Sequence, residues 1–170
     1  MEAVRIVLFA TMAAIVYGVL HDLVTANLCV EYFTVAHPPV FPTRSPILLA
    51  LGWGVIASWW VGLGLGIGLA MAARIGAARK TNLAELRRPV ILLMIATGAA
   101  AIVSGAIGAS LAAAGFTPIP DFWTKIIPAE RQTAFAADAW AHSASYGFGA
   151  IGGLFVIVRT LRRRSAAKGE

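Results

Sequence analysis

The chain has 170 residues, 59% of them hydrophobic and 13% charged, with a formal net charge of +6. Soluble domains carry about a quarter charged residues, so this composition predicts a membrane protein rather than a soluble globular domain. The basic residues sit in short runs beside apolar segments, with no basic-aromatic interleaving, which argues against nucleic acid and for a lipid bilayer as partner.

Four apolar segments are each long enough for a hydrocarbon core that needs about 20 helical residues. They predict an all-α, polytopic four-transmembrane-helix bundle forming one domain, 1–170. The first span covers 4–24 and ends in His21 and Asp22. No small-x-small cleavage site follows Leu20, so an uncleaved first span is expected. Ala26-Asn27-Leu28 makes a poor lipidation box before Cys29, the single cysteine. The second span, 46–73, opens at Ser45-Pro46, a capping serine with proline at the first helical position. The third, 89–114, opens at Pro89 behind Arg87 and Arg88, and the fourth covers 135–158.

The connections set an expected orientation. Segments 74–88 and 159–170, the latter a basic tail that includes Lys168, hold ten basic residues, against three (Arg44, Lys125 and Arg131) in connections 21–45 and 115–134. The positive-inside rule then places both termini and the middle connection in the cytoplasm, and the other two connections on the periplasmic or extracellular side.

The segment HDLVTANLCVEYFTVAHPP, 21–39, gathers two of the three histidines, an Asp, a Glu and the cysteine. Helix rise of about 1.5 Å per residue puts His21 roughly 24 Å above Arg5, and His142 at almost the same height above Arg159. The same count puts Ser58 and Ser104 in that layer. Ionisable groups at such depth need the bundle interior and a partner, which makes them a candidate site. Asp22 flanks His21, and Asp138 precedes His142 by one turn on the same face. On a straight helix Glu31 would lie about 15 Å from His21. Either the helix breaks near Thr25–Asn27 and folds back, or Glu31 belongs elsewhere; His37 before Pro38 must be extended.

The string HDLVTANLCVEYFTVAHPPVF, followed by LGWGVIASWWVGLGLG, resembles a group of uncharacterised small bacterial integral membrane proteins. The resemblance covers most of the chain and implies a four-span inner-membrane protein, without supplying an activity or ligand.

The chemistry therefore rests on the residues. His21 and His142 are candidate nitrogen ligands, Asp22, Glu31 and Asp138 candidate oxygen ligands, and His37 an extra ligand from the loop. Imidazole with carboxylate suits zinc, copper or iron. No HExxH or Glu-x-x-His motif is present. Bis-histidine haem ligation is a lesser alternative, with Gly62, Gly64, Gly66 and Gly68 either packing helices or making room for a flat cofactor. An oligomeric transporter is another, because no charged group lies in the inner half of any span beyond its basic end. A cofactor-free accessory or scaffold subunit, meeting another copy or a partner membrane subunit through an outer aromatic rim, is the main alternative to a metal-binding bundle. Nucleophilic catalysis finds little support: Ser143 and Ser145 neighbour His142 in sequence, which does not make a nucleophile-base pair, and Cys29 has no evident base.

Overall fold

The structure is a computed structural model and describes residues 1–166. It is all-α among the described residues. The helices are α1 (Glu2–Leu28), α2 (Val30–Thr34), α3 (Pro46–Arg74), α4 (Leu83–Ala113), α5 (Asp121–Thr124) and α6 (Gln132–Ala166), with a 3-10 turn at Ala129–Arg131 before α6. Four of these helices are long and apolar enough to cross a membrane, the build of a multi-pass membrane protein. Large apolar side chains such as Leu8, Leu20, Ile102 and Ile151 are exposed on the outside of the bundle, as expected where lipid replaces water.

Three boundaries differ from expectation. Helix α1 runs four residues past 24 and breaks at Cys29, whose φ of −146° and ψ of 90° are extended. Thr25 and Asn27 do not break it, because their side chains donate back to the carbonyls of His21 and Leu23 at 3.2 and 2.7 Å. Helix α4 opens at Leu83, not Pro89. Asn82 and Glu85 form a capping box there: the Glu85 N–H donates to Asn82 Oδ1 at 3.1 Å, and the Asn82 N–H to Glu85 Oε1 at 3.2 Å. Helix α6 continues beyond 158 to Ala166, so the described part of the basic tail is helical, and Lys168 lies outside the described residues.

Helix α1 packs along α3, and α4 along α6, through small residues. A Cβ placed on Gly62 or Gly66 would come within 2.8 Å of the Thr11 or Val7 Cα, and one on Gly108 within 2.8 Å of the Ala136 carbonyl. Such close backbone approach is how helices gain packing energy where lipid supplies no hydrophobic drive. Gly62 and Gly66 are filled by α1 itself and leave no slot for a cofactor.

One end of the bundle gathers the start of α1, the end of α6 and the 75–82 connection. Glu2 Oε1 accepts from the Leu83 N–H at 2.8 Å. Buried Arg164 donates to the carbonyls of Ala72, Ile75, Ala78 and Arg79, capping the end of α3. At the opposite end Cys29, Ile119, Ile127 and Phe135 form one apolar cluster, and Ala26, Phe33, Leu49 and Trp53 belong to another. This end carries the polar groups.

Candidate metal centre

His21 and Asp22 arrive on the last turns of α1, and His142 on α6. One ligand atom from each lies within 4.8 Å of the other two. The imidazole rings of His21 and His142 meet edge to face, with centroids 4.5 Å apart. Asp22 and His142 are buried, at 5% and 7% exposure. A tetrahedral ion with bonds of about 2.0–2.2 Å holds its ligand atoms about 3.3–3.6 Å apart, so binding would draw this group together by roughly an ångström.

His142 Nδ1 lies 2.9 Å from the Asp138 carbonyl, one turn earlier on α6. A carbonyl only accepts, so Nδ1 carries the hydrogen and Nε2 bears the lone pair of the neutral ring. Nε2 faces Asp22 Oδ1 at 3.4 Å. A proton or a metal ion placed between these two atoms would be shared by both. His21 Nε2 is buried with no hydrogen-bond partner.

The other expected ligands lie elsewhere. The Asp138 carboxyl is fully buried but outside the group of three, and both of its oxygens lack a hydrogen-bond partner. Its backbone carbonyl, not its carboxyl, orients His142. Glu31 pairs with Arg131 at 3.0 Å, and also accepts from Cys29 Sγ at 3.3 Å. Burial works to raise the Glu31 carboxyl, but hydrogen bonds from its own backbone N–H, Arg131 and Cys29 outweigh it and hold the group below the usual range. His37 donates through Nδ1 to the Tyr32 carbonyl at 2.8 Å and stacks on Phe33, so it is held by the lid, not the cluster. Burial, above all, lowers its imidazole from the ordinary value.

The fold-back places α2 as a lid. Tyr32 lies over His142 with ring centroids 4.4 Å apart, and Phe33 approaches the same ring at 5.7 Å. Burial also raises the Tyr32 phenol and pushes the Cys29 thiol up to about 12, with the hydrogen bond to Glu31 adding to the second shift. Cys29 is completely buried.

Tyr17, which no sequence pattern singled out, and Ser145, weighed only as a nucleophile, are further members of the site. Tyr17 stacks on His21 at 5.8 Å, and its hydroxyl is 2.7 Å from Ser145 Oγ, tying α1 to α6 one turn deeper than the histidines. Their positions, four before His21 and three after His142, were the available signal. Ser58, which packs against Gly18 below the histidines, and Ser104 each spend their hydroxyl on a backbone carbonyl, of Gly54 and Trp140 respectively. Ser143 likewise bonds back to Ala139.

Direct contact between the two imidazoles leaves no slot for a porphyrin, which would hold axial ligands on opposite sides of its plane. The arrangement suits a single ion held by two imidazoles and a carboxylate. Comparison with protein-family models, with curated proteins and with solved structures gives no match.

Proposed function

We propose that this is a small inner-membrane protein that binds one transition-metal ion, zinc, copper or iron, through His21, Asp22 and His142. The observation that carries the reading is the pair of contacts His142 makes through its two ring nitrogens. Its Nδ1–H is committed to the Asp138 carbonyl, which aims the Nε2 lone pair at the Asp22 carboxyl. Metal-ligating histidines almost always donate their other ring N–H in this way. The choice among the three metals follows imidazole and carboxylate chemistry and goes no further.

The gathering of the basic segments at the far end of the bundle supports a cytoplasmic location for that end, and hence an outward-facing site. The lid over His142 supports a site screened from bulk water.

Metal analysis of protein purified in mild detergent tests the reading. The expected result is stoichiometric zinc, copper or iron in the wild type, with affinity reduced by more than about 100-fold in His21→Ala and in His142→Ala. A wild-type protein that carries no metal and takes up none on titration would leave Asp22 and His142 as a proton-bridged pair. The accessory-subunit reading would then stand.

A further inference from the structure

The group of three lies under a cover held by both halves of the chain. Helix α1 stops at Cys29, and α2 folds back across the bundle end. Phe33, 2% exposed, packs with Leu49, Ala50 and Trp53 of α3. Tyr32 meets Phe135 of α6 with ring centroids 5.5 Å apart, and lies over His142. The cover therefore reaches from α3 to α6.

The other approaches are closed to an ion. Helices α1 and α3 touch backbone to backbone beside the group, where a Cβ on Gly54 would lie 2.6 Å from the Val19 Cα. One on Gly105 of α4 would lie 3.1 Å from the Ala137 carbonyl of α6. A cleft of about 1100 Å³ does run between α1 and α4. Its wall beside His21 is Leu20, Val24 and Leu28, however, and neither Asp22 nor His142 lines it. Toward the far end, Ile6, Leu69, Val90 and Val156 fill the interior. An ion crossing an apolar flank would exchange water for hydrocarbon, which is costly for any charge. The end under α2 is the approach that avoids lipid.

Arg131 latches this end. Its guanidinium donates to Glu31 on α2 and to the Leu28 carbonyl at the end of α1, each at 3.0 Å. Between those two residues Cys29 alone lies outside a helix, in an extended conformation that suits a hinge. Neither Glu31 nor Arg131 belongs to the group of three.

We propose that residues 29–34 gate the ion: metal enters and leaves only while α2 is swung away on Cys29, and Arg131 sets how often that happens. The gate rests on the metal-binding reading and adds to it that exchange is controlled in rate and not in affinity. The latch touches no ligand of the ion, so closure is equally favourable with the ion bound or absent. A state preference that the ligand does not share leaves the equilibrium affinity unchanged. Opening therefore scales uptake and release by the same factor. Loss of a ligand would instead weaken affinity.

The test uses the full chain in phosphatidylcholine nanodiscs. Zinc-loaded protein mixed with excess chromogenic chelator gives the release rate, and metal-free protein mixed with zinc gives the uptake rate. Maleimide labelling of Cys29 in the same samples measures opening. Arg131→Ala loses an ion pair and a hydrogen bond, and should speed uptake and release alike by about tenfold. Its Kd for zinc should stay within about twofold of wild type. Glu31→Gln keeps the side-chain shape and should speed both rates about two- to fivefold. It decides alone if Arg131→Ala fails to fold. Unchanged zinc rates in these variants, whether or not labelling accelerates, would overturn the gate and leave the metal site standing. So would faster release without faster uptake, the sign of a lost ligand. Zinc binding by none of the proteins would overturn the metal-binding reading and the gate together.

Discussion

Arg131 Nε lies 3.0 Å from Glu31 Oε2, an ion pair between positions 100 residues apart. The same guanidinium donates to the Leu28 carbonyl at 3.0 Å, satisfying a group orphaned where α1 ends. One side chain thus holds both sides of the break at Cys29 and keeps α2 over His142. A half-exposed ion pair contributes only about 1 kcal/mol or less, so losing it should loosen the lid without unfolding the bundle.

Cys29 reports on that lid. With its thiol pushed from an ordinary 9.0 to about 12, the thiolate fraction near neutral pH falls about 1000-fold, and complete burial adds to the protection. Membrane-impermeant maleimide should label the wild type very slowly. Arg131→Ala should speed labelling by at least tenfold. Rapid labelling of the wild type would show that α2 does not stay closed.

Acid should open the lid in two stages. Burial holds the His37 imidazole below its ordinary 6.5, so its contribution to closure is complete above that pH and is lost as pH falls through the lowered value. Glu31, held below its ordinary 4.5, contributes fully above that pH and loses its contribution as pH falls further. Hydrogen exchange of the α2 amides, corrected for intrinsic rates, should show protection declining below about pH 6.5. His37→Phe should remove the first stage and leave the second. An unchanged profile in that variant would assign the first stage to another group.

The glycines of α3 are not equivalent. A Cβ on Gly66 meets the Val7 backbone at 2.8 Å, while nothing lies within 4 Å of one on Gly64. Gly66→Val should therefore destabilise by about 1–3 kcal/mol through forced separation of α1 and α3. Gly64→Ala should leave thermal stability in detergent unchanged or slightly raised. Equal effects would mean that α3 is rotated about its axis relative to this arrangement.

Asp138 should matter little to metal affinity. His142 is oriented by the Asp138 backbone carbonyl, which survives any substitution. Asp138→Asn should hold metal within about threefold of wild type, well short of the 10–100-fold typical when an orienting side chain is lost. Competitive titration with a chromogenic chelator measures this directly. A loss as large as that in His142→Ala would place the carboxyl on the metal.

Orientation in the membrane can be read with reporter fusions. A fusion after Lys80 should behave as cytoplasmic and one near Lys125 as external, given the excess of basic residues around the first. An external result at Lys80 would invert the proposed sidedness of the site and leave its internal geometry untouched.

Runs of apolar residues were enough to show four long helices, because the length of chain that must be shielded from water is a local property of the sequence. The shared depth of His21 and His142 was legible for a similar reason: helix rise is constant, so counting from the basic ends measures height. Helix rotation was not legible. In helices that are apolar nearly all round, lipid and protein interior look alike to the side chains, and hydrophobic pattern does not say which face turns inward. The cleft between α1 and α4 thus emerges only once the helices are packed. The same holds for the separation of Asp138's carboxyl from the group of three. The fate of Glu31 depended on Arg131, a partner 100 residues away that no local spacing indicates. Only when the chain folds does that pairing take Glu31 away from His21, Asp22 and His142 and turn 30–34 into a lid over them.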